Sequence, residues 1–373
     1  MGAPDFDALA HAGIRRLRAY DPGHDIVALR RKFAEDALLE LGSNENPYGP
    51  SPRARDAVLD CLPALHRYPD PLGTDLRRAL ADHLALEPAQ VFLGNGSHEL
   101  LMMLAQVFAG PCADVVAAEF GFAVYAIAAQ AAGARFAAAP ALPTAGSMPR
   151  GHDLAAVEAT VGERTRMVYL ANPNNPTGTW FSTAALDDFL SRQRPEVLVI
   201  VDEAYLEYVT DQALVSAVSL LPKYPNLVVT RTFSKAYGLA GLRVGYACAH
   251  VELLRVLERV RESFNVNSPG LAACAAVLAD QAYLQTVRRG NAKEREWLAD
   301  QLRNRRLEVA PSQTNFILVD FGREAAPLES DLVRRGVVLR PMISYGLPTC
   351  LRISVGTRQE NQRLLKSLDE VQA

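Results

Sequence analysis

Lys235 stands in Thr232-Phe233-Ser234-Lys235-Ala236, eight residues before Arg243 in Gly241-Leu242-Arg243-Val244-Gly245. A lysine amine becomes a covalent catalyst when it condenses with an aldehyde to form a Schiff base. The hydroxyl of Ser234 before it and the guanidinium of Arg243 after it place an anion site beside that amine. A reactive amine next to an anion site points to an aldehyde carried on a phosphorylated cofactor, and pyridoxal phosphate (PLP) fits. An arbitrary Ser-Lys pair is ordinarily an exposed loop. Here the surrounding chain decides otherwise.

Two other segments complete the constellation. Asn172-Pro173-Asn174-Asn175-Pro176-Thr177-Gly178 follows the apolar run Met167-Val168-Tyr169-Leu170-Ala171. The run Val197-Leu198-Val199-Ile200-Val201 ends in Asp202-Glu203-Ala204-Tyr205. Continuous apolar runs of this length read as buried parallel strands. In open α/β sheets ligands bind beyond the carboxyl ends of such strands. Asn175, Asp202, Tyr205 and Lys235 are therefore expected just past strand ends. The three-residue spacing from Asp202 to Tyr205 is helical and would aim both side chains at one ring. Gly94-Asn95-Gly96-Ser97 precedes a helical stretch, so its backbone N–H groups and the positive helix end would face an anion.

With these residues in view, the chain resembles the fold-type-I PLP aminotransferases, and more narrowly the histidinol-phosphate aminotransferase family. The superfamily is carried by the lysine and Asp-x-x-Tyr motifs. Ser43-Asn44-Glu45-Asn46-Pro47-Tyr48-Gly49-Pro50 and Arg67-Tyr68-Pro69-Asp70 narrow the resemblance, which runs from about Asp21 to Thr357. It implies an aspartate-aminotransferase-like α/β fold and assigns roles residue by residue. Lys235 would hold PLP and shuttle the substrate proton. Asp202 would pair with the pyridine nitrogen, favouring the protonated, electron-withdrawing ring. Asn175 and Tyr205 would donate to the phenolic oxygen, and Phe122, from Phe122-x-x-Tyr125, would stack on the ring. Gly96, Ser97, His98, Ser234 and Arg243 would form the phosphate cup, with His98 where the family usually has a small polar or acidic residue. Tyr68 would reach the cofactor phosphate of a neighbouring subunit, which makes the active unit a homodimer. Arg352 and Arg340 are the expected substrate-anion residues, and Tyr48 and Asn175 would line the substrate pocket. No metal is expected.

The elements that must position these residues are legible in the pattern. The chain has 373 residues, enough for two domains and a large core. It is 49% hydrophobic and 22% charged with a net charge of -3, which gives no reason to expect nucleic acid or an anionic membrane as partner. Five scattered cysteines without a Cys-x-x-Cys, and no basic-then-apolar start, point to the cytoplasm. Strand patterns at 91–93, 114–118, 135–139, 166–171, 197–201, 227–231 and 244–248 alternate with helical ones. That predicts a mostly parallel seven-stranded sheet in a large domain over 50–265. Residues 1–49 and 266–373 make a smaller α+β domain. It opens with a loosely attached helix over 1–20 and a short strand at Leu39-Glu40-Leu41. It then has a long helix over 270–305 with Gly290 as a break, strands at 315–320, 337–340 and 350–355, and a final helix over 360–370.

The favoured activity exchanges an amino group between L-histidinol phosphate and 2-oxoglutarate, giving imidazole-acetol phosphate and L-glutamate, a step of histidine biosynthesis. An aromatic-amino-acid aminotransferase, and more remotely a phospho-amino-acid decarboxylase, are the alternatives on the same scaffold. A nucleotide-binding oxidoreductase is disfavoured, because no Gly-x-Gly-x-x-Gly with a following acid succeeds the first strand.

Overall fold

The computed structural model describes residues 4–15, 17–19, 23–33 and 37–372. Seven strands form the larger sheet: β1 (Val91–Gly94), β2 (Asp114–Ala118), β3 (Arg135–Ala139), β4 (Thr165–Ala171), β5 (Leu198–Asp202), β6 (Leu227–Thr232) and β7 (Gly245–Ala249). Their order across the sheet is β1-β7-β6-β5-β4-β2-β3. Only β7 runs against its neighbours; the other adjacent pairs are parallel. The apolar runs are continuous because both sheet faces are covered. Val168, Leu170, Val199 and Val201 enter one core, while Met167, Tyr169 and Ile200 enter the other.

This topology gathers the chemistry at one edge. Asn172–Gly178 follows β4, Asp202 closes β5, and Ser234 and Lys235 follow β6. The reversal at β7 matters here. An antiparallel neighbour needs no crossover helix, so the 233–244 connection stays at the same edge and carries both Lys235 and Arg243. Asp202 is the last residue of β5 rather than the first beyond it. The turn after it leads to a short 3₁₀ segment, Leu206–Tyr208, so Asp202 and Tyr205 are not related by a helical turn as their spacing suggested.

The smaller body contains an antiparallel sheet in the order Arg340–Pro341, Cys350–Ser354, Phe316–Asp320, Glu308–Val309. The chain's early segment joins it: Leu39–Glu40 pairs in parallel with Val337–Val338. Helices Gln281–Arg303, Ala326–Arg334 and Arg358–Gln372 cover a core that includes Leu298, Leu302, Ile317, Ile353 and Leu364.

Two helical expectations are corrected. The stretch 270–305 is two helices, Ser268–Leu278 and Gln281–Arg303, and they part at Asp280, whose side chain caps the second by accepting the Tyr283 N–H. Gly290 lies inside the second helix without breaking it. A β-carbon there would stand 2.6 Å from the Tyr48 hydroxyl, so glycine is needed for close approach rather than for a kink. The first helix buries Ala273, Cys274 and Val277 in the core of the larger sheet, which places residues 268–278 with the larger body. In the opening segment, Phe6–Leu9 and Ala12–Arg15 are short separate helices; the rest of the helix expected over 1–20 lies partly outside the described residues.

A buried charge cluster backs the site edge. Arg231 in β6 donates from Nη2 to Glu207 Oε1 at 2.8 Å, and its Nε lies 3.9 Å from Glu203 Oε2. Glu203 also accepts from the Ser216 hydroxyl at 2.7 Å and the Ala217 N–H at 2.5 Å. Burial pushes the Glu203 pKa up to about 7, against the pull of Arg231. Removing the cation from such a cluster leaves two carboxyl groups buried without it. Arg231→Met is expected to lower unfolding free energy by about 3–5 kcal/mol in denaturant titration. A loss below about 1 kcal/mol would show that the cluster does not support the fold.

Candidate active site

A cleft of about 340 Å³ opens where the edge of the larger sheet faces the smaller body. Asp202, at the end of the central strand β5, lies at its base. Tyr125, on helix Val124–Ala131, donates its hydroxyl to Asp202 Oδ2 at 3.0 Å. That ring is fixed by stacking on Tyr169, with centroids 4.8 Å apart and planes 3° from parallel. Asp202 Oδ1 is buried and has no hydrogen-bond partner among the described residues. Burial raises the Asp202 pKa to about 6, while the Tyr125 hydrogen bond, then Thr230 and the Ala204 backbone, and last the Lys235 charge pull the other way.

Lys235 points its amine at the Ser43 carbonyl, 3.3 Å away, and lies 5.8 Å from the centroid of the Tyr205 ring. Its pKa falls to about 8, first because the amine is enclosed and then because Arg352 and Arg243 are near; Glu45 and Asp202 oppose the shift. A lysine so placed keeps a larger neutral, nucleophilic fraction than an exposed one.

Arg243 makes the anion corner. Its backbone is left-handed, with φ of 55°. Its guanidinium donates to Ser234 Oγ at 3.2 Å and to the Ala240 carbonyl at 2.9 Å, and it forms no ion pair among the described residues. Helix Gly96–Phe108 begins beside it, so helix N–H groups and guanidinium converge. Two glycines permit this packing. A β-carbon on Gly96 would lie 2.5 Å from Arg243 Nη2, and one on Gly245 would lie 2.4 Å from the Ser97 nitrogen. His98 lines the same corner, and burial and the Arg243 charge both hold its pKa down.

The opposite wall comes from the smaller body. Arg352 donates from Nη1 to Asn175 Oδ1 at 2.6 Å and from Nη2 to the Gly42 carbonyl at 2.8 Å. Arg340 is its cross-strand partner, and both are 7% exposed. Phe122 lines the cleft and meets Tyr125 edge-on.

Most residues expected from the sequence converge here. Ser97, His98, Phe122, Asn175, Asp202 and Tyr205 line the cleft, as do Ser234, Lys235, Arg243, Arg340 and Arg352. Gly96 lies directly behind Arg243. Two do not converge. Tyr48 packs over Gly290 and does not line the cleft, which corrects its expected pocket role. Its backbone N–H is tied to the Asn46 side chain, turning the ring toward the helix. Tyr68 is 82% exposed and stacks on Phe264 at 4.6 Å, outside the cleft of its own chain.

The sequence reading left several contacts unassigned. Asn44 donates to the Tyr205 hydroxyl at 2.9 Å, and its backbone N–H meets Ser354 Oγ at 2.8 Å. The Tyr125–Asp202 bond was also unforeseen. Asn44 lies in the Ser43–Pro50 motif and Tyr125 in Phe122-x-x-Tyr125, which is the signal the chain offers; their partners are far away in the chain.

This arrangement fits a flat cofactor with a phosphate at one end and a basic ring nitrogen at the other. Asp202 and Arg243 line the same cleft as Lys235, and both charges act on its amine. The comparisons with known proteins agree. The family profile for aminotransferase class I and II matches residues 36–368. Histidinol-phosphate aminotransferase 2 of Pseudomonas aeruginosa is 47% identical over 371 residues, covering 99% of each chain. The crystal structure of histidinol-phosphate aminotransferase from Sinorhizobium meliloti in complex with pyridoxal-5'-phosphate superposes with a TM-score of 0.84 at 32% identity, covering 96% of each chain. Aspartate aminotransferase of Thermus thermophilus shares the fold, with a TM-score of 0.84 at 19% identity, covering 97% of this chain and 99% of that one. The chain belongs to the histidinol-phosphate aminotransferase family within the class I and II aminotransferases. Among the described residues, no helix is long and apolar enough to cross a membrane.

The lowered Lys235 pKa has a measurable consequence. Only the neutral amine attacks an electrophile, so labelling rises with pH through the pKa. Acylation of Lys235 in ligand-free protein, followed by peptide mass spectrometry, is expected to show a midpoint near pH 8 rather than the ordinary 10.5. A midpoint at or above 10 would show that enclosure and the neighbouring arginines do not act on the amine.

Proposed function

We propose that the protein is a PLP-dependent aminotransferase acting on L-histidinol phosphate and 2-oxoglutarate, producing imidazole-acetol phosphate and L-glutamate in histidine biosynthesis. One observation carries the substrate assignment: two buried arginines, Arg340 and Arg352, stand opposite one another on adjacent strands at the wall facing Lys235. A phosphate ester is a dianion and calls for more positive charge than a carboxylate. The same pair also accepts the carboxylate of glutamate, so one cleft serves both half-reactions in turn.

Bound in the cleft, PLP supplies the aldehyde that takes up the amino group and the ring that acidifies the substrate Cα–H. The remaining work belongs to the chain. Ser97, His98, Ser234, Arg243 and the first turn of the helix at Gly96 hold the phosphate. Asp202 keeps a proton at the ring nitrogen, and Tyr125 keeps Asp202 in place. Asn175 and Tyr205 donate to the phenolic oxygen, and Phe122 flanks the ring. Lys235 would hold the cofactor at rest and, once displaced, would carry the proton from substrate Cα to the carbon that had been the cofactor aldehyde, and back again in the second half-reaction.

The decisive experiment is a donor panel. L-histidinol phosphate is expected to exceed phenylalanine and tyrosine in kcat/KM. A parent enzyme that prefers phenylalanine would move the substrate to the aromatic amino acids. Lys235→Ala is expected to abolish turnover while still binding PLP, and normal turnover in that variant would remove the role given to Lys235.

We further place the protein in the cytoplasm as a homodimer with no nucleic-acid or membrane partner. Exposed Leu59, Leu62, Leu65, Tyr68 and Leu72 cluster along one stretch of chain, and exposed apolar clusters of this kind mark contact surfaces. Tyr68 would cross to the phosphate cup of the second subunit. Mixing Tyr68→Phe with Lys235→Ala chains is expected to restore activity above either parent, since one site per hybrid escapes both lesions. No gain in demonstrated hybrids, with each parent impaired, would show that Tyr68 acts within its own chain.

A further inference from the structure

The segment Gly42–Glu45 crosses the cleft with its residues engaged one after another. The Gly42 carbonyl accepts from Arg352, the Ser43 carbonyl accepts from Lys235, and the Asn44 amide donates to Tyr205. Glu45 comes next, and it breaks the series. Its side chain lines the cleft with Lys235, Arg340 and Arg352, yet makes no hydrogen bond or ion pair among the described residues. Its backbone is nonetheless fixed. Asn315 donates to the Asn44 and Glu45 carbonyls at 2.9 and 3.2 Å, and Asn46 reaches the Ala236 carbonyl at 3.0 Å.

Glu45 is exposed, so water solvates its carboxylate, but its charge still acts in a cleft that must bind anions. It weakens the hold on phosphate and carboxylate groups alike. Asp202, the other acid lining this cleft, is committed to Tyr125. A substrate that brings Glu45 a hydrogen-bond donor would turn that charge to use. A substrate with its amine at Lys235 and its anion at Arg352 spans the first two contacts of the segment. Glu45, further along the same segment and lining the same cleft, is within the region left for the substrate's remaining arm. In L-histidinol phosphate that arm is an imidazole, which offers an N–H whether neutral or protonated. A phenyl arm offers none, and the side-chain carboxylate of glutamate is repelled.

We propose that Glu45 is a specificity-determining residue, whose carboxylate accepts the imidazole N–H and selects imidazole-bearing amines over phenyl-bearing ones. The proposal rests on the substrate reading above, and its test separates the two. Half-reactions of the PLP-loaded enzyme are followed by single-turnover absorbance with L-histidinol phosphate, L-histidine, L-phenylalanine and L-glutamate. Glu45→Ala is expected to lower the histidinol phosphate to phenylalanine ratio of kcat/KM by about 10- to 100-fold, chiefly through KM, as loss of a charge-assisted contact does. The histidine to phenylalanine ratio falls with it, and Glu45→Gln, which keeps a carbonyl acceptor, lies in between. Equilibrium titration of the Lys235→Ala protein supplies a readout without turnover. There Glu45→Ala weakens L-histidinol phosphate by a similar factor, while 2-aminoethyl phosphate, which lacks the imidazole, binds no more weakly. Equal losses for all four donors would overturn the proposal and place Glu45 in the support of Lys235 or of the fold. Unaltered ratios would overturn it as well. A parent that ignores histidinol phosphate sinks the substrate reading alone, because the histidine to phenylalanine ratio still tests Glu45; a parent without that preference sinks the proposal.

Discussion

Keeping a carboxylate at the centre of a seven-stranded sheet is the constraint around which this molecule is built. Asp202 closes the middle strand, and its enclosure raises its pKa to about 6. A group in that position persists only if neighbours favour its ionised form. Tyr125 provides most of that by a hydrogen bond, with smaller help from Thr230, the Ala204 backbone and the Lys235 charge. Their positions explain much of the surrounding architecture. Tyr125 needs Tyr169 of β4 to stack on, and Lys235 needs the short return between antiparallel β6 and β7.

The second requirement is that two bodies share one cleft. Arg352 does this most directly, since it bonds to Asn175 beyond β4 and to Gly42 in the opening segment. The parallel pairing of Leu39–Glu40 with Val337–Val338 brings that segment into the smaller body just before it crosses the site. Behind the sheet edge, Arg231 between Glu203 and Glu207 ties β6 to the turn after β5. Charges therefore occupy both sides of this edge. Those behind it are paired with one another, whereas Arg352, Lys235 and Asp202 on the cleft side bond to neutral groups. Arg243 and Glu45 differ from Arg231 in this respect, for neither has an ion-pair partner among the described residues.

By itself the sequence determined the strands, their mostly parallel arrangement and most of the residues that meet at the cleft. Apolar runs longer than half-exposed strands tolerate, each ending in a polar motif, leave few alternatives once an α/β sheet is assumed. Lys235, Asp202 and Asn175 were legible because strand ends are legible, and Arg243 by its spacing from Lys235. What only the tertiary structure decided depends on partners distant in the chain. The Asn44–Tyr205 bond joins residues 161 positions apart, and the Tyr125–Asp202 bond joins residues 77 apart. No local pattern encodes such pairs. The break at Asp280 rather than Gly290 was hidden for the same reason: a glycine reads as a weak point until the Tyr48 ring is seen to need the space. The exposure of Tyr68, the turn of Tyr48 away from the cleft and the lack of a partner for the Glu45 carboxylate among the described residues also followed only from packing. Periodicity reports which face of an element is buried, whereas the identity of the group across from it is set by how the elements come together.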